Sequence, residues 1–368
     1  MSSLFESVTI KGMELSNRFV RSATWEGLAG EGGEVTPKLT KMMTELARGG
    51  VGLIITSHAY VRSDGQATPW QLGIDKDELV SSLRGLTDSV HEAGGKIVMQ
   101  LAHAGNFAAE NLTGQTPLVV SNYEGLARSP RKQVSTEDIR DIVLAFADAA
   151  QRAKSAGFDG VQIHSAHGYF LSQFLSPLFN RREDEYGGVV TNRARIHIEI
   201  LDAIRDAVGT SYPVMIKMNC RDFRDGGLTL EDSIEAACLL VDAGLDAIEL
   251  SGGLLTNVRK SPSRAGINSE DKEAYHLEEL KAFRNRIEIP LMPVGGIRSF
   301  GVAERLVEDS LADFISMSRP FIREPGLINR WKAGDRRRAE CISDNLCFKP
   351  GFEGNGIYCV TSERERAK

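Results

Sequence analysis

Eight short apolar runs, separated by segments of helical periodicity, constrain this chain of 368 residues more than any other feature. The runs fall at 19–23, 52–57, 96–101, 160–164, 214–219, 247–251, 291–294 and 314–318. Many are rich in Val and Ile and apolar on both faces, the pattern of parallel strands buried between helices. Helical patterns lie at 75–93, 136–156, 192–208, 230–243, 277–286 and 301–308. Ser135 stands as N-cap of the second, with Asp138 three residues on. Glycines at 49–50, 94–95, 157 and 244 precede strands, where C-cap glycines are expected. Strand–helix alternation leaves an open doubly wound sheet or a closed barrel. Polar and glycine residues gather where the strands end: Gln100, His164, Lys217, Gly252, Gly253, Gly295, Gly296, Ser318 and Arg319. A barrel brings all these ends to one face, where active sites sit. The expected fold is therefore α/β, a (β/α)8 TIM barrel. Residues 5–16 alternate around Lys11-Gly12 and read as a hairpin capping the barrel bottom.

No linker or shift in composition divides the chain, so residues 1–335 are assigned to one barrel and 336–368 to a C-terminal extension. The formal net charge is -6, with no basic block, which argues against a nucleic-acid partner. No apolar run approaches the roughly 18 residues of a membrane helix. The N-terminus carries no basic region followed by an apolar stretch, so no secretory signal is expected. Five cysteines, three of them near the C-terminus, suit a reducing compartment, and a cytoplasmic location is expected.

The densest chemistry lies at Val161-Gln162-Ile163-His164-Ser165-Ala166-His167-Gly168-Tyr169. Two imidazoles three residues apart can donate to one oxyanion, and Tyr169 can supply a proton beside them. The alternatives are a metal pair, for which no Cys or carboxylate partner is close in sequence, or satisfied polar residues. Lys217 sits inside an apolar run, so it serves either chemistry or a strand-end salt bridge. Gly295, Gly296, Ser318 and Arg319 fit a phosphate held after the last two strands, with Arg319 as a charged donor. The loops 103–135 and 252–271 are long enough to act as lids. The second carries Arg259, Lys260 and Arg264, a solvated basic loop or a contact for a phosphate-bearing ligand.

These segments, with Asn17-Arg18-Phe19-Val20, Gln100-Leu101-Ala102-His103-Ala104-Gly105, Asp184-Glu185-Tyr186-Gly187-Gly188, Pro293-Val294-Gly295-Gly296-Ile297 and Ser318-Arg319-Pro320, resemble the old yellow enzyme family of FMN-dependent oxidoreductases over most of the chain. The branch most similar is that of 2,4-dienoyl-CoA reductase and trimethylamine dehydrogenase. The resemblance implies FMN as cofactor, NADH or NADPH as electron donor, and an ene-reductase acting on the activated C=C bond of a small unsaturated carbonyl compound. It implies that His164 and His167 hold the acceptor carbonyl, that Tyr169 donates the proton, that Gln100 meets the flavin pyrimidine edge and that Lys217 stands near N1. Ser22, Ala23, Thr24 and His58 would make flavin contacts, His58 through its backbone, while Gly295, Gly296, Ser318 and Arg319 hold the phosphate. His103 reads as structural. Homo-oligomerisation is left open.

Two departures stand out. Trp25 occupies a place where many members carry Thr or Cys against the flavin, and reads as a pocket wall or a packed core residue. Cys341, Cys347 and Cys359 lie where larger relatives bind a [4Fe–4S] cluster, with Asp344 at the fourth position. The site residues therefore include no metal ligand, and direct reduction by NAD(P)H is expected. Two alternatives follow: an electron-transfer flavoprotein with a C-terminal iron–sulfur or zinc site, and a flavin-free barrel lyase or isomerase acting on a sugar phosphate with Lys217 as Schiff-base nucleophile.

Overall fold

The computed structural model describes residues 2–122, 130–257 and 259–367. A hairpin of β1 (Val8–Ile10) and β2 (Met13–Leu15) opens the chain, pairing Val8 with Leu15 in antiparallel register. Its turn is Lys11-Gly12, with φ of 46° and 91°. The chain then lays down β3 (Phe19–Arg21), β4 (Leu53–Tyr60) and β5 (Ile97–Ala102). A small parallel pair follows, β6 (Leu118–Val119) and β7 (Lys132–Gln133), inside the long connection after β5. The remaining strands are β8 (Gly160–Ser165), β9 (Val214–Asn219), β10 (Ala247–Ser251), β11 (Leu291–Pro293) and β12 (Ile315–Met317).

Eight strands form one parallel sheet in the order β11-β10-β9-β8-β5-β4-β3-β12. A bridge between Val294 and Ser316 joins the two ends of that order and completes the TIM barrel. Each barrel strand is buried along its length, as its two apolar faces require. The interior is filled from below: Ile10, Met13 and Leu15 of the hairpin pack with Val20, Leu53, Ile55, Val98, Met215, Ala247, Met292 and Phe314. A second apolar layer lies between the strands and the surrounding helices.

The helix Thr136–Ser155 starts on a full capping box, Ser135 and Asp138 each bonding the other's backbone N–H. Helices at Leu230–Asp242, Leu277–Arg284 and Phe300–Glu308 match the periodic segments closely. The segment at 192–208 is broken into Val190–Arg193 and Arg195–Val208. The helix Pro37–Arg48, capped by Thr36, and the short helices Phe170–Leu175, Arg319–Arg323 and Leu327–Lys332 were not among the periodic segments. Gly94 and Gly244 leave their helices with φ of 79° and 92°, the left-handed exit that reverses the chain into the next strand. Among the described residues no helix is long and apolar enough to cross a membrane.

The C-terminal extension crosses the mouth of the barrel. Ala339 N–H bonds the Arg298 carbonyl at 2.8 Å, and Ile357 N–H bonds the Glu26 carbonyl at 2.8 Å.

Candidate active site

All eight strand ends contribute to one cavity at the C-terminal face, about 990 Å³ up to its open mouth. That is the size and place expected for a barrel ligand site. Its walls include Ser22, Ala23, Thr24, Trp25, His58, Gln100, His164, His167, Tyr169, Lys217, Gly296, Ser318 and Arg319. Of the residues assigned from sequence to flavin and acceptor, Gly295 is the one absent from this wall, its carbonyl accepting from Tyr275 N–H at 3.1 Å.

One side of the cavity is aromatic and titratable. His164, at the end of β8, lies 4.6 Å from Tyr169 and 5.5 Å from His167 between ring centroids. His167 has φ of 67°, a left-handed conformation uncommon for a residue with a Cβ. Asn219, at the end of β9, holds that turn: its Oδ1 accepts the His167 N–H at 3.1 Å, while its Nδ2 donates to Asp222 and to the Gly253 carbonyl. Ser251 lies 2.8 Å from His167 Nε2 and sets the ring. Burial, and then neighbouring His and Lys217 charges, hold both imidazoles well below the usual histidine range. They are therefore neutral at pH 7, each with one N–H to give. Burial pushes the Tyr169 phenol up, so it keeps its proton.

His58 departs from the sequence reading. Its carbonyl already accepts from Gln71 Nε2 at 2.9 Å, and its imidazole faces the cavity with Nε2 3.3 Å from the Tyr169 hydroxyl. Burial and Lys217 hold it down at about 4. His103 is structural as expected, 3.3 Å from Asp64 and accepting from Gly105 N–H.

Polar side chains stand beside this group, Lys217 in register with His164 and Gln100 with His58. Lys217 Nζ donates to Ser22 Oγ at 2.8 Å and lies 3.4 Å from Glu249, so it is both a cavity cation and a salt-bridged lysine. Burial lowers its pKa, and Glu249 opposes that shift. Gln100 Nε2 donates to Gln162 at 2.7 Å, and Gln162 Nε2 donates to Glu249 at 3.0 Å. Thr24 and Ser318 hydroxyls meet at 2.7 Å and tie the end of β3 to that of β12.

The far end is cationic. Arg319 is only 7% exposed, its guanidinium donating to the Arg264 carbonyl and to Asn345 Oδ1. Arg298, 2% exposed, joins it in the wall and donates to the Cys341 carbonyl and Ser343 hydroxyl. Gly296 turns there with φ of 74°, and a Cβ would come within 2.9 Å of the Tyr275 ring. Sequence reasoning missed Arg298, Ser263, Ser343 and Phe348, which reach the cavity from loops and the extension without a periodic signal. Trp25 lines the cavity and also packs on the exposed Phe352 at 4.9 Å; it is half-buried and not part of the core.

The cavity fits FMN on its own chemistry. Two buried polar atoms without a hydrogen-bond partner, His164 Nδ1 and Ser316 Oγ, belong to its lining residues. Two buried arginines and a left-handed glycine at one end suit a phosphate.

The other cluster of possible metal ligands among the described residues is Cys220, His276 and Glu279. Cys220 Sγ lies 3.7 Å from His276 Nδ1, a thiol–imidazole hydrogen bond. Arg221 lies 4.0 Å from Glu279, and Arg264 also acts on His276, an electrostatic setting that opposes a dication. Cys341, Cys347, Cys359 and Asp344 share the wall of a small cavity beside Arg323. The Asp344 carboxylate is already bonded to the Thr361 hydroxyl and Leu346 N–H.

Comparison with known proteins gives a consistent result. The model of the NADH:flavin oxidoreductase / NADH oxidase family matches residues 3–337. An NADH oxidase of Thermoanaerobacter brockii is 35% identical over 98% of this chain and 56% of its own length, so the chain spans about half of that relative. An NADPH dehydrogenase of Bacillus subtilis is 35% identical over 88% of this chain and 92% of its own. The solved structure of the old yellow enzyme homologue from Zymomonas mobilis superposes with a TM-score of 0.77 at 26% identity, covering 90% of this chain and 92% of that one.

Proposed function

Because the chain belongs to the NADH:flavin oxidoreductase / NADH oxidase family, we propose that it is an FMN-dependent NAD(P)H oxidoreductase of ene-reductase type, reducing the activated C=C bond of a small unsaturated carbonyl compound. The observation that carries this reading is the joining of three groups in one cavity: His164, His167 and Tyr169 on one side, Gln100 and Lys217 beside them, and Arg298 and Arg319 at the end.

Held by these residues, FMN would supply the hydride chemistry between the nicotinamide and the acceptor's β-carbon. The chain's own residues do the rest. Neutral His164 and His167 donate hydrogen bonds to the acceptor's carbonyl oxygen and stabilise the charge that develops there. Tyr169, its proton held firmly, delivers it to the α-carbon. Arg298 and Arg319 hold the phosphate, with Gly296 allowing close backbone approach. Gln100 meets the pyrimidine edge and Lys217 sets the charge beside it.

A visible spectrum of the purified protein tests the cofactor, and stopped-flow reduction by NADH and NADPH followed by a panel of enones tests the chemistry. The double variant His164→Ala, His167→Ala should retain flavin yet lose phenol-like inhibitors; unchanged inhibitor affinity would remove the assigned roles.

The alternative of electron transfer through the C-terminal site draws on one observation, the shared cavity of Cys341, Cys347, Cys359 and Asp344. No three of their ligand atoms lie within 4.8 Å of one another, which is too open for one tetrahedral zinc as the side chains stand. Iron analysis of the coloured protein separates this reading from the first. The flavin-free Schiff-base reading is overturned by the family match, and Lys217 is held by Ser22 and Glu249.

A further inference from the structure

Glu249 is a carboxylate inside the barrel, 0% exposed, at the middle of β10. No step of the chemistry above uses it. Its Oε1 has no partner, while Oε2 serves both Gln162, at 3.0 Å, and Lys217, at 3.4 Å. Burying such a group is costly unless its bonds are used well.

Its value lies in what a carboxylate cannot do. A side-chain amide can present either its oxygen or its nitrogen to a neighbour, and a carboxylate paired with a lysine only accepts. Glu249 therefore compels Gln162 to turn its NH2 inward. The Gln162 oxygen is then left facing Gln100, and compels Gln100 to turn its own NH2 away from the cavity, at 2.7 Å. Gln100, which lines the cavity, is left with its oxygen for a ligand. Gln100 on β5 pairs in register with Gln162 on β8, while Glu249 on β10 reaches Gln162 past the intervening β9, where it pairs with Lys217.

We propose that Glu249 is a positioning residue that, through Gln162, fixes the amide of Gln100 so that it offers an acceptor to the N3–H edge of the flavin. The inference rests on the flavin reading above and extends it to two residues that touch no cofactor. Without Glu249 the two amides have two near-equivalent arrangements, and only one presents an acceptor.

The test is binding of FMN and of an FMN analogue methylated at N3, followed by flavin fluorescence. The wild-type chain should prefer FMN over the analogue by about tenfold or more, the worth of one well-made hydrogen bond. Glu249→Gln should weaken FMN and narrow that preference, since the analogue never used the acceptor. Adding Gln162→Glu to it should restore both. The carboxylate at 162 still accepts from Gln100, and the carboxamide at 249 donates to it while offering its oxygen to Lys217. A general loosening of the fold would weaken both ligands equally and leave the preference intact. Should Glu249→Gln fail to fold, Gln162→Met breaks the relay and spares the ion pair, with the same narrowing expected. An undiminished preference in Glu249→Gln or Gln162→Met, or a double variant no better than Glu249→Gln alone, overturns the inference. A wild-type chain that binds no FMN overturns the flavin reading instead.

Discussion

At the residue scale, the site works by keeping its protons where burial puts them. His58, held at about 4, and His164 and His167, held well below the usual value, are neutral in the folded chain. In the unfolded chain each titrates near the ordinary histidine value of about 6.5. Unfolding therefore takes up protons as pH falls below that value, and stability drops by up to about 1.4 kcal/mol per pH unit for each buried histidine. Asp64, whose carboxyl is held down at about 2 chiefly by His103 against the cost of burial, titrates below this window. Thermal melts of the flavin-free protein between pH 7 and 5 should show a falling Tm, and His58→Gln should flatten part of the slope. A level profile would mean that these imidazoles are charged in the fold. Tyr169 is the complementary case. Tyr169→Phe should slow the oxidative half-reaction by about a hundredfold or more while flavin reduction stays nearly unchanged. Equal loss in both halves would mean that Tyr169 positions the ligand instead of donating a proton.

At the scale of elements, the helix Thr136–Ser155 depends on its cap. Ser135→Ala should lower stability by about 1 kcal/mol, read as a shift in denaturant midpoint without a change in slope. A change in slope would point instead to an altered unfolded state. This helix was legible because two signals coincide, a cap pair and a long apolar period. The barrel strands were legible for a similar reason, each a buried run flanked by glycine or polar residues. Pro37–Arg48 was missed although its Thr-Pro start and its stripe of Leu39, Met43 and Leu46 were both there to be read. Phe170–Leu175 escaped because it is buried on every side, which erases periodicity. The site was legible where strand ends carry it: His164, Lys217 and Gln100. Arg298 and Asn219 were not, since nothing local marks which polar loop residues will meet. The Asp184–Gly188 segment that strengthened the family resemblance is tied into the fold: the Asp184 carboxylate accepts from Arg182 and from Tyr186 N–H, and its carbonyl from Gly187 N–H.

At the scale of the whole molecule, the C-terminal segment adds Ser343 and Phe348 to the wall of the cavity. Asn345 Oδ1 holds the Arg319 guanidinium at 2.7 Å, and its Nδ2 bonds the Ser263 carbonyl. Asn345→Ala should weaken FMN by about tenfold, the loss of one charge-assisted hydrogen bond at the phosphate end, with the fold retained. Retained affinity in a folded variant would mean that the extension packs beside the site without shaping it.

The hairpin at the other end has a consequence for traffic. With Ile10, Met13 and Leu15 packed into the barrel's lower end, the described residues close it there and leave the cavity open at the opposite face. On the function proposed above, nicotinamide and acceptor would share that entrance, so an excess of either one would delay the other.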